Sequence, residues 1–201
     1  AGVKMSVGEP YPDTPENGNI VTNVELVPLA SPVFYAGPPN EDTIEIARVV
    51  DRGLRESKMI ELENLVIEAG EKVWSVLIDI HVLDHDGNLI DASAIAATKA
   101  LLTTMMPKYE DEKVLYGEKD RPLPVRDKPV SCTFAKIGGY NVLDPILEET
   151  KVMDARLTFV TNHYGNLCAM QKSGQESYTK AEVDQMIDIA VEEGKKVRKL
   201  Y

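Results

Sequence analysis

Apolar and polar residues alternate over residues 1–7 and again over 20–29, the period-two pattern of half-buried strands. Between them, residues 8–18 hold Pro10, Pro12 and Pro15 among Asp, Glu and Asn and read as a loop. A second Pro/Gly stretch, 31–39, leads to Asn40, which is placed to cap a helix with Glu41 and Asp42 in its first turn. Ile44, Ile46, Val49, Val50 and Leu54 carry that helix to about Ser57. Residues 66–83 predict a long strand region turned at Ala69-Gly70. Asp86-Gly87 predicts a tight hairpin, 89–92 its returning strand, and Ser93 the start of an Ala-rich helix that Pro107 stops. Further strands are predicted at Val130–Ile137, Tyr140–Leu143, Ala155–Thr161 and 166–171, with turns at Pro145 and Gly165. Thr179-Lys-Ala-Glu182 is a capping box opening a last helix through Val183, Met186, Ile187, Ala190 and Val191.

Residues 85–89 read His-Asp-Gly-Asn-Leu and 163–167 read His-Tyr-Gly-Asn-Leu, each after a strand and ahead of a helix. This predicts a repeated ββα unit. Residues 107–129 lie between the copies and hold four prolines and twelve charged residues, so they read as a connector. The expected organisation is a first half at 1–106, the connector at 107–129 and a second half at 130–201. The fold class is α+β: mixed sheets with helices packed on them.

Composition sharpens the class without naming a function. In 201 residues, 33 acids against 22 bases leave a net charge of −11, which excludes a protein coated in cations to grip nucleic acid. It does not exclude a local basic site. With 43% hydrophobic residues the chain is of ordinary globular make-up, and no apolar run approaches the ~20 residues of a membrane helix. No leader pattern points to secretion, and a cytoplasmic location is expected. Cys132 and Cys168 sit in apolar strand-like runs and read as buried core thiols, outside any C-x-x-C framework. Trp74 and the scattered methionines also read as core.

Three clusters carry candidate chemistry. His81, Asp84, His85 and Asp86 are metal-ligand types, or else a solvated hairpin end; strand alternation puts the two histidines on one face. Asp144, Glu148, Glu149 and Asp154 precede a strand, where carboxylates position a metal, act as acid and base, or line a solvated loop. Arg48, Arg52 and Arg55 fall on one helix face, away from the apolar stripe. Such a row can hold consecutive phosphates in forked contacts, while Glu45, Asp51 and Glu56 stand near enough to pair with it instead.

At these residues the chain resembles a known family. Thr43-Ile-Glu-Ile-Ala-Arg-Val-Val-Asp-Arg-Gly-Leu-Arg-Glu-Ser57, the segment from Asp86-Gly87 to Ala97, Asp144-Pro145, and Met153-Asp-Ala-Arg-Leu-Thr158 together resemble the ribonuclease PH family. Glu25-Leu-Val-Pro-Leu-Ala-Ser-Pro32 with Gly37-Pro-Pro39 is similar to its non-catalytic ring subunits in archaeal exosomes. The resemblance spans essentially the whole chain. It implies a duplicated βαβα-type unit, the ribosomal S5 domain 2-like fold, and a missing N-terminal segment. Catalytic members use phosphate to attack the 3′ end of RNA and release nucleoside diphosphates. By resemblance their phosphate-binding arginine falls at Asp42 and a second arginine at Ile90. Their phosphate loop falls at Lys172-Ser173-Gly174, and their two catalytic-region aspartates at Glu148 and Asp154. An aspartate in place of an arginine repels a phosphate, so these departures predict no activity of the chain alone.

The resemblance further implies that Arg48 and Arg52, with Arg55 in support, feed single-stranded RNA to a catalytic neighbour. The implied partners are the catalytic ribonuclease-PH-like subunit, in a hexameric ring of three heterodimers, and an RNA-binding cap with S1 or KH domains. No cofactor, metal or membrane is implied. Two rivals stay open at this point. One is an active phosphate-dependent exoribonuclease using Glu148 and Asp154; the other is a metal-dependent hydrolase using His81, His85 and the acids.

Overall fold

A computed structural model describes residues 1–201. Its first sheet is built from β1 (Gly2–Gly8), β2 (Asn19–Leu26), β3 (Val66–Glu68) and β4 (Lys72–Val82), in the order β1-β4-β2 with β3 also on β4. β1 and β3 run antiparallel to β4, and β2 runs parallel to it. The crossover from β2 passes through α1 (Glu41–Glu56), whose first amides are met by Asn40: its side-chain Oδ1 accepts from Thr43 N at 2.9 Å. Apolar residues fall at Ile46, Val49, Val50 and Leu54, so one stripe is buried against the sheet and the other face is wet.

The second sheet, all antiparallel, has the order β10-β9-β7-β8, from β7 (Val130–Ile137), β8 (Tyr140–Leu143), β9 (Ala155–Thr161) and β10 (Leu167–Gly174). β7 is buried along nearly its whole length because both its faces are covered. Cys132 and Phe134 join Leu157, Phe159, Met186 and Ala190 in a core beneath α4 (Lys180–Val197), with Phe134 edge-on to Phe159. The alternate residues Ser131, Thr133 and Thr158 face the other way, toward α2 (Leu89–Leu102). α1 and α2 therefore lie between the two sheets, α1 packing on β2 and β10 and α2 on β4 and β7. At Gly53 α1 packs on β9, where a Cβ would come into contact with the Val160 methyls at 3.4 Å.

Five expectations are corrected. Residues 107–129 are no plain connector: β5 (Met105–Glu110) and β6 (Lys113–Pro122) form an antiparallel ribbon whose base is anchored by buried Met106 and Leu123. Asp86-Gly87 makes no hairpin, and no strand follows it; α2 starts directly at Leu89, with Asn88 left-handed before it. The repeated pentapeptide accordingly opens a helix in the first half and a β9–β10 hairpin in the second, so it does not mark equivalent ββα units. A short helix, α3 (Leu147–Val152), stands where only a turn is expected, its Glu149 carboxylate accepting from Ile146 N at 2.9 Å. Cys132 is buried as expected, whereas Cys168 is only half-buried.

The halves are also joined by a polar knot that the sequence pattern does not disclose. Asp91, in the first turn of α2, is buried and accepts from Thr133 N, Thr133 Oγ1 and Asn88 Nδ2, all at 2.8 Å. Asn88 Nδ2 also donates to Asp144 Oδ1 at 2.7 Å. Burial pushes the Asp91 carboxyl up to about 6, against its hydrogen bonds and with the help of Asp144. The folded protein thus holds this proton more tightly than the unfolded chain, where an aspartate titrates near 3.8. The stabilisation is full below pH 3.8 and is lost as pH rises through 6. Urea midpoints taken between pH 3.5 and 7 are expected to show Asp91→Asn gaining on the parent as pH rises through that window. A parallel pair of pH profiles would refute it.

Candidate nucleic-acid interface

The wet face of α1 carries the three arginines in a groove of about 440 Å³, lined also by Ile20, Val21 and Thr22 of β2 and by Tyr11. They are not equivalent. Arg55 Nε donates to Asp51 Oδ2 at 2.6 Å and its Nη2 to the Ile20 carbonyl, so its charge is matched and its fork is spent on β2. Arg48 is exposed and forms no ion pair. Arg52 is exposed and meets only an uncharged partner: Nη1 donates to Gln171 Oε1 on β10 at 2.8 Å, an orienting bond from the other half. Of the acids that might have cancelled the row, Asp51 binds Arg55 and Glu45 binds Arg156 at 2.7 Å. Two guanidiniums, one turn apart, are left with donors free for an anion.

Around the other side of α1, a cavity of about 280 Å³ lies at the junction of the halves. Asp42 and Glu45 come from α1, His85, Asn88 and Ile90 from the start of α2, and Arg156 and Ser173 from the second sheet. The one Arg or Lys here, Arg156, is bound to Glu45, and Asp42 forms no ion pair. His85 lies stacked on Phe34 with ring centroids 5.3 Å apart, and its Nδ1 accepts from Gly87 N at 3.3 Å. Such a lining offers an incoming phosphate no free positive charge.

Residues 1–107 match the model described as the 3′ exoribonuclease family, domain 1, and residues 127–193 match domain 2. The chain belongs to the 3′ exoribonuclease family. It is similar to the exosome complex component Rrp42 of Archaeoglobus fulgidus, at 52% identity over 200 residues that cover 100% of this chain and 76% of that one. Against Rrp42 of Thermococcus gammatolerans identity is 51%, covering 99% and 74%. A solved structure of the Archaeoglobus fulgidus exosome with RNA bound to the active site contains a chain matched with a TM-score of 0.91 and 52% identity, covering 98% of this chain and 76% of that one. A chain of an archaeal exosome core is matched with a TM-score of 0.86 and 47% identity, over 98% and 74%.

In this member of the 3′ exoribonuclease family, the positions assigned by resemblance divide. Asp42, Ile90 and Ser173 do converge on the 280 Å³ cavity, with Ile90 buried and so unable to replace a cation. Lys172 and Gly174 do not line it; Lys172 Nζ donates to the Gly174 carbonyl at 2.7 Å, and Gly174 holds φ +82 close over Ala155. Glu148 is exposed on α3, and Asp154 turns to the β7–β8 turn, accepting from Gly138 N at 3.1 Å. Neither lines the cavity. The two histidines of the metal-site reading are also separated. β4 ends at Val82, ahead of His85; His81 meets Glu25 at 3.1 Å instead, and no three His, Cys, Asp or Glu residues converge. Sequence reasoning missed Glu45–Arg156 and Asp91. The partners of each are too far apart along the chain for spacing to reveal them.

Proposed function

We propose that the chain is a non-catalytic subunit of the archaeal exosome that hands single-stranded RNA to a catalytic ribonuclease-PH-like neighbour. Arg48 and Arg52 hold the RNA backbone in this reading, and the neighbour supplies phosphate binding and bond breaking. An RNA-binding cap would stand above the ring the two subunits form. The observation that carries it is the contrast around α1: free guanidiniums on one side, and on the other a cavity whose only Arg or Lys is already neutralised. Similarity to exosome components, and to a chain of an exosome holding RNA, adds support. Arg55 is left out of the RNA contact, since Asp51 and Ile20 occupy it.

Phosphorolysis of poly(A) tests the division of labour. The purified chain with poly(A) and inorganic phosphate is expected to release no ADP, and the same chain assembled with a catalytic ribonuclease-PH-like subunit is expected to release it steadily. ADP from the chain alone, surviving removal of contaminants by a second purification, would falsify the non-catalytic assignment.

A further inference from the structure

The RNA groove has one component that the arginines do not explain. Tyr11 is the only aromatic side chain lining it, in company with Arg48, Arg52 and Arg55. It is 43% exposed, its hydroxyl bonds no protein group, and no other ring stacks on it. Its backbone, by contrast, is tightly held. Pro10 and Pro12 restrict φ on either side. The Tyr11 carbonyl accepts from Thr14 N at 3.0 Å, and the Thr14 carbonyl from Asn17 N at 3.1 Å. Further along, Gly70 N donates to the Pro15 carbonyl at 3.0 Å and Gly18 N to the Leu62 carbonyl at 2.9 Å. The buried Asn19 side chain reaches back across the loop to the Glu9 carbonyl at 2.9 Å while bonding Ser75 Oγ at 3.1 Å. A loop tied at both ends and in the middle presents an unused ring at little further cost in conformational entropy.

A free ring beside free guanidiniums is the pairing that single-stranded nucleic acid selects: cations follow the phosphates, and an aromatic face takes a base whatever its identity. We propose that Tyr11 is a stacking platform for one base of the RNA strand whose phosphates Arg48 and Arg52 hold. This rests on the RNA-guiding reading above and adds to it a contact with a base. Because every base has a π-face, the contact strengthens binding without imposing a sequence. The phenol hydroxyl has no part in it.

The test separates base from backbone. The full chain is assembled with its catalytic partner in phosphate-free buffer, and binding is measured for an oligo(A) RNA and for the same strand carrying abasic riboses. Tyr11→Ala is expected to weaken the oligo(A) complex on the order of tenfold and the abasic complex by less than about twofold, with Tyr11→Phe binding as the parent does. Equal weakening of both strands, weakening of neither, or failure of Tyr11→Phe to match the parent would overturn the platform. Should Tyr11→Ala not assemble, Tyr11→Trp gives a second readout. Its added indole fluorescence is quenched by oligo(A) and not by the abasic strand, and quenching by both or by neither overturns the proposal. The arginine variant Arg48→Ala/Arg52→Ala serves as the reference for the underlying reading. It lowers binding of both strands if the groove carries RNA, and if it lowers neither, the groove reading itself falls whatever Tyr11 does.

Discussion

Gly87→Ala is expected to cost about 4 kcal/mol of folding stability, a large fraction of what a domain of this size possesses. Two effects add. Gly87 holds φ +101, where a side chain is strained by roughly 1–2 kcal/mol. A Cβ built there also falls 2.4 Å from the Pro145 carbonyl oxygen, 2.5 Å from the Ile146 carbonyl carbon and 2.7 Å from Leu147 N. All three are backbone atoms of the segment that Gly87 bridges at Ile146, so no side chain can swing aside. The halves must part there, and with them the Asn88–Asp144 bond next door. Gly70→Ala isolates the first effect: φ is +79 and nothing lies within 4 Å, so about 1 kcal/mol is expected. Urea denaturation of the three proteins decides the matter. If Gly87→Ala loses no more than Gly70→Ala, close approach of the two backbones does not hold the halves together.

That glycine also shows where reading the chain succeeds and where it stops. Asp86-Gly87 reads as a hairpin turn, whereas Gly87 holds positive φ for another purpose, the approach of residues 145–147 from the other half, which a local pattern cannot disclose. Local signals with local partners are read well: Asn40 caps α1, Thr179 and Glu182 form the capping box of α4, and the turn at Ala69-Gly70 joins β3 to β4. The β5–β6 ribbon escapes because β6 is exposed over most of its length, so no apolar alternation marks it as a strand. His-x-Gly-Asn-Leu misleads for the opposite reason. Four matching residues in five stand in two different local structures, and tertiary context decides between them.

The candidate site divides along the same line. One helix face bearing Arg48, Arg52 and Arg55 follows from spacing alone. Which of the three is free does not, since it depends on Ile20, Gln171 and the diversion of Glu45 to Arg156, residues brought together by the fold. For the cavity at the junction, Asp42 and Ser173 lie in different halves. Only the packing of α1 against the second sheet makes them neighbours.

Removing the two free arginines is expected to produce the largest functional effect. For the complex assembled with a catalytic subunit, Arg48→Ala/Arg52→Ala should bind single-stranded RNA about 100-fold more weakly at low salt, each lost charged contact accounting for about tenfold. Counterion release supplies the sharper signature. Each neutralised phosphate on a single strand adds ~0.7 to the slope of log affinity against log salt, so the double variant's slope should be shallower by about 1.4. The gap between variant and parent must then narrow as salt is raised. Lysines at both positions keep the charge and hence the slope, but lose the fork, so affinity falls with little change in salt dependence. Arg55→Ala is the internal contrast. Its guanidinium is already bound to Asp51 and the Ile20 carbonyl, so its loss should lower the urea midpoint while leaving the salt slope within error of the parent's. A double variant with an unchanged slope would mean that Arg48 and Arg52 touch no phosphate. A slope that falls instead in Arg55→Ala would mean that the Asp51 pair opens when RNA arrives, giving the row three phosphate contacts where the folded chain alone offers two.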